Sequence, residues 1–225
     1  MLDLKKLSAY YQAHNSGTQL NGKPALFLRP TKDNPRSYFL PLLDEPSDII
    51  GIPQHNFVPL ADNGHRSFVC RRFLEGIDPK IDCPLCDDGL KAFRKYYFTA
   101  LQFEGENVRK LAPAMDADGL YKIGILDLSK ALTTSLDNIR SMSGSYMAQI
   151  VAYSRVVDQS GKTTYDIQKA KDLECKEVDG KILPDLDYQK LAESVSKYAD
   201  LNDYVTEETQ DSVYKLYLDS REAEK

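Results

Sequence analysis

The sequence has no tryptophan, only three histidines, and only four cysteines in 225 residues. So few cysteines, in a chain with no sign of export, argue against a disulfide framework. No run approaches 18 apolar residues, so no membrane span is expected. The stretch MLDLKKLSAYYQAH lacks the apolar core of a secretory signal, which points to a cytosolic protein. Also missing is any paired-carboxylate, nucleophile or phosphate-loop constellation, so the chain is not expected to be an enzyme.

What is present is unevenly distributed. Residues 171–225 hold 15 acidic and eight basic side chains, whereas residues 1–170 hold 19 and 21. A mildly basic body is followed by an acidic end, a pattern that suits either a solvated helical surface or a partner-binding region. Tyrosine is abundant at 14 residues, many in runs that suit strands.

The pattern of strands and helices predicts a mainly β protein with α additions. Residues 3–14 form an amphipathic helix, with Asp3 at its start and Gly17 past its end. NGKPALFLRPTKDNPRSYFLPLL gives turn, strand, turn, strand. QHNFVPLADNGHRSFVCRRF predicts a hairpin closed on Asn63-Gly64, and a helix of about two turns should follow Cys86. YYFTALQFE, VRKLAP and LYKIGIL are strands, and LDLSKALTTSLDNI is a helix with Leu128, Leu132, Leu136 and Ile139 on one side. SYMAQIVAYSRVV and TTYDIQKA pair around DQSGK. The end is helical, with stripes at Leu191, Val195 and Tyr198 and at Val213, Leu216 and Tyr217. Strands, one helix, more strands and then helices do not make βαβ units. The size fits a five-stranded OB-fold barrel. The expected organisation is an N-terminal helix or arm over 1–20 and an OB-fold core over 21–170. A zinc subdomain is inserted at about 52–95, and an acidic helical C-terminal region spans 171–225.

Cys83 and Cys86 form a C-x-x-C. Redox chemistry would call for a βαβ context, which is missing. A zinc site needs two further soft ligands. Cys70 supplies one, and His55 or His65 the other; Cys175 is remote. With Asn63-Gly64 as a two-residue loop, Phe57 pairs with Cys70 and His55 with Arg72. His55 and Cys70 then share a face as diagonal neighbours, while His65 points to the other face. Parity favours His55; a bulge, for instance at Pro59, would favour His65 instead. Four protein ligands close the coordination sphere, so one structural zinc ion is expected.

Behind the C-x-x-C runs a basic and aromatic stretch: Lys91, Phe93, Arg94, Lys95, Tyr96, Tyr97 and Phe98. Arg71, Arg72, Arg29, Lys32 and Arg36 are further cations nearby, and Lys122 opens a later strand. One face of the strand must line the core, and the other is available as a stacking platform beside cations. That combination suits single-stranded nucleic acid.

The segments ALFLRP, QHNFVPLADNGHRSFVC, DCPLC, RKYYFTALQF and TTYDIQKA together resemble the zinc-containing single-stranded DNA-binding proteins of tailed phages, the helix-destabilising type of the T-even phages. The resemblance runs over most of residues 20–200. It implies His55 as the zinc-ligating histidine and Tyr97, Phe98 and Tyr165 as aromatics against the bases. It also implies a protein that coats and protects single-stranded DNA without sequence preference during phage replication and recombination. Its location would be the cytoplasm of the infected bacterial host, with replication proteins as partners through an acidic C-terminus. Two departures stand out. The basic N-terminal segment is reduced to Lys5 and Lys6, and the sequence ends at DSREAEK, so the family's long acidic, serine-rich tail is either short or lies beyond it. A zinc-stabilised protein-interaction module using the acidic C-terminal helices is the alternative from another class.

Overall fold

The computed structural model describes residues 18–20, 23–59, 65–70, 83–198 and 217–219. It is mainly β, with an antiparallel sheet and added helices. The strands are β1 (Thr18–Leu20), β2 (Lys23–Ala25), β3 (Arg36–Pro41), β4 (Ile50–Pro59), β5 (His65–Val69) and β6 (Ala92–Glu104). They continue with β7 (Ala112–Pro113), β8 (Ile123–Leu128), β9 (Gln149–Val157), β10 (Thr163–Asp172), β11 (Cys175–Val178) and β12 (Lys181–Pro184). The helices are α1 (Pro84–Asp87), α2 (Lys130–Ser143) and α3 (Tyr188–Lys197). None is long and apolar enough to cross a membrane.

The 13-residue strand β6 organises the main sheet, whose order is β10-β9-β3-β6-β4-β5. β3 and β4 follow one another along one edge of β6, with Pro41 opposite Ala100 and Ile50 opposite Tyr97. β8 and β7 pair with its other edge. No pairing among the described residues closes the sheet into a barrel.

Both faces of β6 are covered over its second half. Phe98 and Ala100 pack with Phe39, Leu126 and Leu128, and α2 adds Leu136 and Ile139. Leu101 and Phe103 pack with Leu40 and Ile123, and α3 with the residue after it adds Leu191 and Tyr198. A strand buried on two faces becomes a near-continuous apolar run, and YYFTALQF has that character. Gly124 on β8 lets the chain pair along the other edge of that strand, where the Leu28 N–H donates to the Ile125 carbonyl at 3.0 Å. A Cβ there would come within 2.7 Å of the Leu26 carbonyl oxygen, so the chain at Leu26–Leu28 can lie against the strand.

Several expectations shift. The helix after Cys86 is a single turn, and the residues assigned to its end already belong to β6. Leu128 belongs to β8, because Ser129 accepts the Leu132 N–H at 3.4 Å and starts α2 there. The C-terminal region is not helical throughout. β11 and β12 form a hairpin on Asp179-Gly180, whose φ values of 51° and 76° suit an Asp-Gly turn. The β9–β10 hairpin around DQSGK is as expected. The helix over 3–14, the Asn63-Gly64 turn and the stripe residues Val213 and Leu216 lie outside the described residues.

Candidate metal centre and the adjoining cationic surface

His55, Cys70, Cys83 and Cys86 come together, with one ligand atom from each lying within 4.8 Å of all the others. Cys70 Sγ is 3.9 Å from Cys83 Sγ and 3.5 Å from Cys86 Sγ. His55 Nε2 is 3.5 Å from Cys83 Sγ and 3.6 Å from Cys86 Sγ. A regular tetrahedron with metal–sulfur bonds of about 2.3 Å and a metal–nitrogen bond of about 2.1 Å has edges of roughly 3.6–3.8 Å. The four donors therefore fit a tetrahedral metal ion. The sulfurs are much too far apart for a disulfide, whose bond is about 2.0 Å.

Three elements supply the donors. His55 sits inside the sheet, opposite Phe68 of β5 and Ala92 of β6. Cys70 follows β5, and its N–H donates to the Pro53 carbonyl at 2.8 Å. Cys83 and Cys86 bracket one turn of helix, with Pro84 at its first position, where the missing N–H costs nothing. Leu85 points inward from that turn and is fully buried, with Val58 and Tyr217 in the same cluster. Hydrogen bonding to Cys83, then burial, pushes the Cys70 thiol far above its usual value. A bound cation would reverse that preference by stabilising the thiolates. Among the described residues, His55 Nδ1 is buried without a partner, leaving Nε2 as the nitrogen turned to the sulfurs.

The β4–β5 register differs from the one expected of a two-residue loop. His55 pairs with Phe68 rather than Arg72, and Pro59 pairs with His65. Five residues, 60–64, therefore connect the strands. The shift at His55 is four residues, an even number, so His55 and Cys70 remain diagonal neighbours on one face. At Pro59 the shift is three residues; the bulge between His55 and Val58 lies between the turn and the ligand pair and supplies the fourth, so it restores the parity instead of undoing it.

The remaining site candidates separate. Lys32, Lys91 and Arg94 are exposed, and Lys95, Tyr96 and Lys122 are half-buried. Arg36 is exposed and donates through Nε to Ser154 Oγ at 3.1 Å. Tyr165 is exposed, with its ring 5.8 Å from that of Tyr153. β9 lies between Arg36 and Tyr165, since Arg36 pairs with Ser154 and Tyr165 with Arg155. Arg71 and Arg72 lie outside the described residues. Tyr97 and Phe98 correct the expectation of an open stacking face: Tyr97 accepts a hydrogen bond from Gln54 Nε2 at 2.5 Å, and Phe98 packs in the core near Phe39. They are buried because both faces of β6 carry core from Tyr97 onward. The exposed aromatic of this strand is instead Phe93, at 57% exposure.

Asp127 joins two of the candidate cations, a meeting that sequence patterning missed. Its carboxylate is almost fully buried, yet it pairs with both Arg29 and Lys95. Burial, and then the Arg29 guanidinium, lower the Lys95 ammonium to about 8, while Asp127, 2.7 Å away, favours its charge. No signal in IGILDL distinguishes Asp127 from an ordinary polar residue on a strand. No protein-family model matches the chain, and no curated protein matches it.

Proposed function

We propose that this protein binds single-stranded DNA without sequence preference, on an OB-type barrel stiffened by one structural zinc ion. The observation that carries the reading is the register of β4 against β6. His55 sits opposite Ala92, and Ile52 sits opposite Lys95. His55, one of the four donors, thus lies in the strand pair that carries Phe93, Arg94 and Lys95, with Lys91 just before it. A closed His/Cys3 site activates no water but fixes backbone geometry. Cations beside an exposed aromatic ring are what an unstacked strand requires: charge for the phosphates and a face for the bases. The resemblance to the zinc-containing single-stranded DNA-binding proteins of tailed phages agrees with this reading. It extends the reading to coating and protecting DNA during replication and recombination in a bacterial host. No catalytic step is assigned.

The test is a titration of labelled oligothymidylate at two salt concentrations. Affinity should fall with salt at a slope of about −0.7 per neutralised phosphate. Replacing Arg94 and Lys95 together by alanine should flatten that slope by one to two phosphates' worth, roughly 0.7–1.4 in slope. An unchanged slope with an unchanged melt places the strand elsewhere. Failure of the wild type to shift the oligonucleotide at all returns the chain to the interaction-module reading.

A further inference from the structure

We propose that Asp127 is a positioning residue for single-strand binding, its carboxylate holding Arg29 and Lys95 side by side as one seat for a backbone phosphate. This inference rests on the function proposed above and assigns a residue that neither the charge pattern nor the resemblance points to.

Three separate parts of the chain meet at Asp127. It lies on β8 opposite Tyr97 of β6, one step from the Lys95 position on the same face. The bridge from Phe27 to Ile125 runs parallel, so two residues on, Arg29 falls beside Asp127. Arg29 uses Nε on one carboxylate oxygen and Nη2 on the other, the two-pronged geometry that fixes a guanidinium plane. Lys95 Nζ donates to the second oxygen at 2.7 Å. A guanidinium has five N–H donors and an ammonium three, so most donors of both groups stay available. Asp127 itself is 3% exposed, whereas the Arg29 and Lys95 side chains are each about one-third exposed.

The charges do not balance within the protein. One carboxylate faces two cations, which leaves one positive charge directed outward. A phosphodiester carries one negative charge. Among the described residues, Asp127 is the carboxylate that either cation meets; Ile52 lies opposite Lys95 on β4 and is apolar. Tyr97 accepts from Gln54, and burial holds the Tyr153 phenol neutral up to about 12, so neither supplies the missing charge. Phe93 and Ile50 are exposed on the same face, apolar surface on which a base can lie beside the seated phosphate.

The inference makes a prediction of unusual sign. Removing a carboxylate from a nucleic-acid surface ordinarily strengthens binding, because repulsion is lost. Removing this one should weaken it, because Arg29 and Lys95 would repel each other and separate. Asp127→Asn, close to isosteric, should bind oligothymidylate about tenfold more weakly and lower the salt slope by about 0.7–1.4. A second readout needs no change at Asp127. An incoming phosphate favours protonated Lys95, so wild-type affinity should be flat below about pH 8 and fall above it. Lys95→Arg, which stays charged throughout, should abolish that fall. Weaker binding by Asp127→Asn with a shallower salt slope, together with a flat pH profile in Lys95→Arg, supports the assignment. Equal or tighter binding by a folded Asp127→Asn overturns it, and Asp127 then only neutralises cations at the core edge. Where Asp127→Asn melts below the assay temperature, the pH comparison decides, and identical profiles for wild type and Lys95→Arg overturn the inference. A wild type that binds no single strand overturns the function itself, a result distinct from wild-type binding that is indifferent to Asp127.

Discussion

Stripping the metal with a strong chelator should lower the melting temperature of the whole chain by on the order of 10 °C. The four donors come from β4, from the residue after β5, and from the α1 turn. Without a cation, three thiols and an imidazole are left packed against one another in the protein interior. His55 and Cys83 are fully buried, as is Cys70, so the metal-free cluster cannot be repaid by solvation. The free energy of metal binding at such a site is in effect folding free energy. The damage should spread beyond the α1 turn, because β4 pairs with β6 and β6 anchors both cores. His55→Ala should bind no zinc by elemental analysis and should melt like the chelated wild type. His65→Ala should retain one zinc per chain. Zinc kept by the first variant and lost by the second would overturn the ligand assignment.

Ending the chain after residue 186 should be as damaging. It deletes α3 and the residue that follows it, and these cover one face of the sheet. Leu191 and Tyr198 are buried with Leu101, Ile123 and Tyr121. Loss of a buried leucine side chain alone costs about 2–5 kcal/mol, against a total stability of roughly 5–15 kcal/mol for a domain. The polar attachments go as well. Ser194 Oγ accepts the Tyr121 N–H at 2.9 Å, and Lys197 Nζ reaches Asp116 at 2.5 Å and Asp118 at 2.6 Å. Burial opposes the charge of Asp116, but Lys197 and the N–H groups of Leu120 and Asp118 outweigh it and hold the carboxyl below its usual range. That contribution is present above the ordinary carboxylate pKa of about 3.9 and is lost as pH falls through the lower folded value. The truncated chain should therefore melt far below the full chain or fail to accumulate in soluble form. Leu191→Ala, in the full-length protein, should lose part of the same stability. A truncation that melts like the full chain would make α3 a separate appendage and favour the interaction-module reading.

The sequence by itself determined the donor set of a cluster that could hold a metal ion. Ligand type and spacing are local, and a C-P-x-C on one helical turn brings two thiols to one side whatever surrounds it. Period-two alternation also paired His55 with Cys70, and it survived because a three-residue shift near the turn and a one-residue bulge together make four, an even number. The β9–β10 hairpin was legible for the same reason, since its signal lies within a few residues; α2 was legible as a helix, but not its start at Ser129. The Asp179-Gly180 turn is equally local, but the helical stripes farther along, at Leu191 and at Val213, led the expected helical region to cover it. Tertiary structure alone decided the rest. Whether Tyr97 and Phe98 face solvent depends on what covers each face of β6, and those covers come from α2 and α3, far along the chain. The meeting of Arg29, Lys95 and Asp127 joins residues 32 to 98 positions apart through two different pairings to β8. Tyr217, at the other end of the chain, sits in the cluster with Cys70 and Cys83 and bonds through its hydroxyl to Asp88. No pattern within a short window encodes such contacts, because burial and charge pairing are set by the neighbours that folding brings, not by those the chain supplies.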